Sequence, residues 1–303
     1  MALRSLDNAL PVIPERPKKL AKIATLTNNP NQKHTDFLGM NDENKAPLPP
    51  SGDASVDYLP SEKLESHADP ELKIQGLVGG LESKDWLKVC ESLIDVRRFA
   101  LFHSTLLGPI LEKVILIMVK AMKNPRSALC KTSIMASSDI FKAFGDKLLI
   151  EPEISDAFDQ VLLQLLLKAS QDKKFVCEEA DRALKVMVGS MTPLLVLQKL
   201  QSYARHSNPK VRAKAAISIS DCFSKMELEG MKEFGLVPLI QIAVDLLNDR
   251  LPEAREAARR IIVCLYEALT EKEEQKQEVW QSFCQSNLSA IHAQSVVKLV
   301  SSQ

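Results

Sequence analysis

From residue 69 onward the apolar residues fall at intervals of three and four. Ile74, Leu77, Val78 and Leu81 make one stripe, and Val89, Leu93, Val96 and Ala100 make the next. Further stripes run through residues 110–122, 158–166, 194–200 and 239–247. That spacing returns successive apolar side chains to one face of an α-helix. No stretch alternates apolar and polar residues with Val, Ile or Thr enriched, so no strand is predicted. The expected class is all-α.

The stripes are interrupted at a nearly constant period. Asp85, Pro125, Asp172, Pro209 and Pro252 lie 40, 47, 37 and 43 residues apart, and each is expected to open a helix. Proline suits that position because the amide hydrogen it lacks would have had no partner there. Two helices in each period of about 40–47 residues is the signature of HEAT or armadillo repeats. The chain also matches itself: Ser138-Asp139-Ile140-Phe141 recurs as Ser220-Asp221-Cys222-Phe223. At a shorter offset Val211, Arg212, Ala215 and Ile219 match Ala254, Arg255, Ala258 and Ile262. Ala180, Ala215 and Ala258 are expected to let second helices pack closely. Cys90, Cys130, Cys177, Cys222 and Cys264 fall one to each second helix, which reads as a repeated core position rather than a metal or redox site. Five pairs are clear. A shorter sixth, through Val279, Trp280, Phe283, Leu288, Ile291 and Val297, caps the stack. The prediction is an α-solenoid of five to six HEAT-like helix pairs over residues 69–303.

Composition changes the picture before residue 69. Half of the 16 prolines precede Ser61, and Phe37 and Tyr58 are the only aromatic residues there. Such a segment buries too little apolar surface to offset chain entropy, so residues 1–68 are expected to form a disordered tail. Its charge is divided, basic over residues 1–33 and acidic over 34–68. The basic cluster Arg16-Pro17-Lys18-Lys19 with Lys22 reads either as solvated linker or as a contact for an acidic surface. The longest apolar runs, Val114–Val119 and Ile261–Tyr266, are far short of the ~20 residues that span a bilayer. No apolar block of signal-peptide length opens the chain, so a cytoplasmic protein with reduced thiols is expected.

Catalytic chemistry finds no foothold. The histidines at 34, 67, 103, 206 and 292 are scattered, and no glycine-rich phosphate loop, GxSxG or HExxH occurs. Acidic pairs such as Glu178-Glu179 read as solvated helix faces. No enzyme, cofactor, metal site or small-molecule substrate is expected.

Charge becomes informative once it is placed on the repeats. The chain carries 39 Lys+Arg and 39 Asp+Glu, which argues against a bulk nucleic-acid binder. In a two-helix solenoid the turns within pairs line one edge and the turns between pairs line the other. Windows around the within-pair turns sum to +6 and those around the between-pair turns to −6, with residues 123–131 and 205–214 the most basic. Arg126, Lys173, Lys174, Lys210 and Arg212 stand in first turns of second helices, where the helix dipole disfavours cations. That points to an acidic protein surface as partner; no aromatics interleave with these cations as nucleic-acid binding would ask. Trp86 opens a second helix on the same edge, as packing anchor or as contact hot spot.

In their order these segments resemble the TOG domain, the HEAT-repeat tubulin-binding module, most closely the CLASP and crescerin-like type. The resemblance runs through Asp85-Trp86-Leu87, Asn124-Pro125-Arg126-Ser127, Lys173-Lys174-Phe175-Val176, His206 to Ala215, and Glu253-Ala254-Arg255. It implies binding of αβ-tubulin or microtubules along the within-pair edge, and a location on the microtubule cytoskeleton of cytoplasm, cilium or spindle. By position the implied contacts are Lys84, Trp86, Arg126, Lys173, Lys174, Lys210, Arg212 and Arg255. A lone module suits binding of tubulin or lattice; polymerase activity would need oligomerisation. The alternative is a HEAT scaffold that holds an unrelated complex by its faces.

Overall fold

The computed structural model describes residues 58–301. The basic cluster at residues 16–22 and most of the expected tail lie outside the described residues. Fifteen α-helices follow one another among the described residues, with short 3-10 turns and no strand. They are α1 (Pro70–Leu81), α2 (Trp86–Phe102), α3 (Ser104–Leu107), α4 (Leu111–Lys123), α5 (Ser127–Phe144), α6 (Lys147–Ile150), α7 (Pro152–Ala169) and α8 (Lys174–Ser190). Then come α9 (Pro193–Leu200), α10 (Pro209–Phe223), α11 (Leu228–Phe234), α12 (Leu236–Leu247), α13 (Pro252–Thr270), α14 (Lys276–Asn287) and α15 (Ala290–Ser301). The pairs are α1/α2, α4/α5, α7/α8, α9/α10, α12/α13 and α14/α15, the solenoid that the period predicts. None of the described helices is long and apolar enough to cross a membrane.

Local chemistry sets the helix starts. Asp85 and Asn208 cap α2 and α10 by accepting hydrogen bonds from the amides of Leu87 and Lys210, at 3.0 and 2.9 Å. Pro209 and Pro252 stand in the first turns of α10 and α13. Pro125 departs from expectation. It lies in the turn before α5, where the Asn124 side chain accepts from Arg126 N at 2.9 Å, and the helix begins at Ser127.

Second helices stack on second helices, α2 on α5, α5 on α8 and α10 on α13, while α4 stacks on α7. Between the third and fourth pairs the step is offset, and α10 touches both α7 and α8. Ala180, Ala215 and Ala258 are wholly buried at these contacts, as close packing requires. One continuous apolar core runs from Leu77 to Val300. Gly80 marks the tightest approach of α1 to α2, since a side-chain carbon there would run into Ser92. Of the repeated cysteines, Cys90, Cys130 and Cys222 are buried, whereas Cys177 and Cys264 are half-buried. The Cys177 thiol donates to the Ala169 carbonyl at 2.9 Å, on the flank of α8 that meets the turn.

Residues 58–64 lie against α2 and α5 as a strap around a short 3-10 turn. Arg97 Nε donates to Asp139 Oδ2 at 2.7 Å, with side chains 2% and 0% exposed. The strap completes this buried pair. Arg97 also donates to the Leu59 carbonyl and to Ser61 Oγ, and Ser61 Oγ donates to Asp139 Oδ1 at 2.6 Å. Leu64 is buried, and Lys131 Nζ sits 4.4 Å from the centre of the Tyr58 ring. Sequence pattern does not expose this strap, because its anchors lie in two different helices.

Candidate interface on the within-pair edge

Five turns, residues 82–85, 124–126, 170–173, 206–208 and 248–251, line one edge of the first five pairs. Lys84, Arg126, Lys173, Lys174, Lys210, Arg212 and Arg255 lie in or beside these turns. They do not all do the same work.

Trp86 begins α2 half-buried, its ring packed against the core. The Arg126 guanidinium from the next turn lies over that ring, 5.2 Å from its centre. A cation above an indole face gains from the ring quadrupole, and the indole holds the exposed charge in one position. Trp86 is thus both packing anchor and platform. Lys84 is exposed one residue before the cap of α2.

In the third turn Lys173 reaches back to the second, donating to Ser127 Oγ at 3.2 Å. Lys174 is exposed and only loosely paired, 3.8 Å from Glu178. Lys210 Nζ donates to Asp172 Oδ1 at 3.0 Å, a bond between solvent-exposed partners. Such a pair is worth little on its own and exchanges readily.

Arg212 and Arg255 are held more tightly. Arg212 is half-buried, its Nε 2.7 Å from Asp249 Oδ2 and a terminal nitrogen 2.7 Å from the His206 carbonyl. Arg255 repeats the device one unit later, donating to the carbonyls of Asp249 and Arg250 at 2.7 and 3.1 Å. Both arginines brace the turn from which they project. The sequence suggested that Arg212 stands free on the exposed edge; the structure ties it down because the turn carbonyls and Asp249 need donors.

The charge sum over the edge also changes meaning. Lys131 lies 3.9 Å from Glu179, and Lys214 Nζ contacts both oxygens of Asp181 at 2.7 Å. These cations neutralise neighbouring repeats. Among the described residues, Lys84, Arg126 and Lys173 have no carboxylate within ion-pair distance, and with Lys174 and Lys210 they form the field that a partner would meet.

The opposite edge is quieter. Asp146 accepts from the Thr192 amide at 2.6 Å, joining successive between-pair turns. No group of three His, Cys, Asp or Glu suited to a metal occurs among the described residues. Burial pushes the Cys222 and Cys284 thiols up to about 12, which leaves them protonated and inert.

Comparison with known proteins agrees with the helical-repeat fold. The CLASP N terminal family model matches residues 91–292. The TOG array regulator of axonemal microtubules protein 1 of Mus musculus is 27% identical over 228 residues, which are 72% of this chain and 12% of that protein. Its Homo sapiens counterpart is 28% identical over 144 residues, 48% of this chain and 8% of that protein. The chain therefore spans only a small part of the length of these relatives. Among solved structures, a TOG domain from C. elegans superposes with a TM-score of 0.56 at 14% identity, covering 78% of this chain and 88% of that one. The MAST/Orbit N-terminal domain gives 0.52 at 16% identity, covering 75% and 96%. At such identities the superpositions speak for the fold.

Proposed function

Because the chain belongs to the CLASP N terminal family, we propose that it is a non-enzymatic binder of αβ-tubulin or microtubules, acting through the within-pair edge. The observation that carries the reading is the Arg126–Trp86 stack at the head of a row of exposed cations. An aromatic platform beside exposed lysines suits an acidic protein surface. The aromatic supplies desolvated contact area, and the cations speed encounter and set register. The mouse relative bears regulation of axonemal microtubules in its name, which supports the same partner and a location on the microtubule cytoskeleton. A single module of this size binds without any catalytic step, so the reading needs no cofactor.

The test is co-sedimentation of the full chain with microtubules, together with gel filtration beside free tubulin, both at low salt. Binding in either assay, weakened by Arg126→Glu, is expected. No association in both would overturn the reading.

A further inference from the structure

Phe175 occupies a place in the repeat that the other four of the first five pairs give to charge or to a small residue. In the first five pairs the first buried position of the second helix is Val89, Leu129, Val176, Val211 or Ala254. One residue earlier, on the outward side, stand Lys88, Ala128, Phe175, Lys210 and Glu253. Lys88, Lys210 and Glu253 are exposed and Ala128 is half-buried, so this register faces solvent in pair after pair. In the central pair it carries a phenyl ring, 44% exposed. No aromatic ring packs on it among the described residues.

A lone apolar residue on a surface is ordinary. Phe175 differs by its surroundings. Lys173, the N-cap residue of α8, and Lys174, its first residue, precede it. Asp172, three residues before it, holds Lys210 from the next pair at 3.0 Å. The ring therefore stands at the middle of the five turns with exposed cations on both sides. An apolar centre with a charged rim is the usual construction of a protein-binding hot spot, because the rim excludes water from the contact that the centre makes.

We propose that Phe175 is the central apolar anchor of the within-pair interface, entering a depression on the partner while Lys173, Lys174 and Lys210 meet acidic groups around it. The inference rests on the tubulin reading above, and the charge of the rim selects an acidic protein surface as occupant. The anchor contributes affinity that salt does not screen, whereas the rim contributes affinity that salt does screen.

The test measures binding of the full chain to microtubules and to free tubulin across a salt series, for wild type, Phe175→Ala, Phe175→Leu and Leu72→Ala. Leu72 is 65% exposed on α1 and serves as the control for losing an exposed apolar side chain. Phe175→Ala is expected to lower affinity about tenfold with unchanged thermal stability and an unchanged salt slope. Phe175→Leu should recover part of the loss, and Leu72→Ala should bind as wild type does. Wild-type affinity in Phe175→Ala would overturn the anchor and leave the edge reading standing. Equal losses in Phe175→Ala and Leu72→Ala would also overturn it. If wild type binds neither form of tubulin, the edge reading fails and the anchor fails with it.

Discussion

Arg212 Nε donates to Asp249 Oδ2 at 2.7 Å across the step from the fourth helix pair to the fifth. The same carboxylate accepts from Leu251 N at 2.9 Å, so it shapes the turn that opens α13. One arginine closes its own turn through the His206 carbonyl and steadies the next. Residues that look equivalent on a charged edge thus divide into those that build it and those left to use it.

Arg212→Ala leaves Asp249, whose side chain is 4% exposed, without its counter-charge. A loss of about 2 kcal/mol or more is expected, read as a lower urea midpoint. Lys210→Glu, at an exposed pair, should stay within about 1 kcal/mol of wild type. Equal stabilities for the two variants would contradict the bracing role of Arg212.

Asp172 competes with any acidic partner for Lys210. Asp172→Asn is therefore expected to strengthen binding a few-fold at low salt, with the gain fading as ionic strength rises. Co-sedimentation at two salt concentrations checks this. Weaker binding in the variant would mean that Asp172 itself contacts the partner.

The strap packs on the helices through Arg97 and Asp139. A chain beginning at residue 58 should be more stable to denaturant than one beginning at residue 69, which lacks Ser61 and the Leu59 carbonyl at the Arg97–Asp139 pair. Arg97→Ala strands the wholly buried Asp139 carboxylate and is expected to cost about 3 kcal/mol or more. Ser61→Ala should cost about 1 kcal/mol. If both truncations melt together, the strap is ornamental.

Burial lifts the Cys222 and Cys284 thiols from the ordinary value of 9.0 to about 12. Between those values the unfolded chain binds fewer protons than the folded one, so stability falls as pH rises. The contribution is fully present below pH 9 and is lost toward 12. Denaturation at pH 8 and pH 10 should show a drop that Cys222→Ala together with Cys284→Ala reduces. An unchanged pH dependence in that variant would refute the assignment.

Pair count and helix period were legible because each is repeated along the chain and needs only sequence spacing. What stayed hidden depends on side chains meeting across repeats. Arg97 and Asp139 lie in different helices, and the strap that completes them comes from a stretch whose composition resembles that of the Pro-rich residues before it. The lysines of the edge look alike in sequence, but Lys214 finds Asp181 while Lys173 finds only Ser127. Trp86 could be read as anchor or as contact; the structure packs it against the core with Arg126 over its ring.

Ion pairs also cross from one unit to the next on the outer helices. Lys199 reaches Asp159 at 2.8 Å, and Arg205 reaches Asp245 at 2.8 Å. Together with Arg212–Asp249 and Lys214–Asp181 they hold successive units at a set pitch. With about 10 Å between packed helices, five turns and four steps mark out about 40 Å. On the proposed reading the edge would act as a ruler, admitting a ligand by how well its own spacing agrees with the graduations over that distance. A surface that is correctly charged but curved or stepped differently would touch two or three marks and slip away.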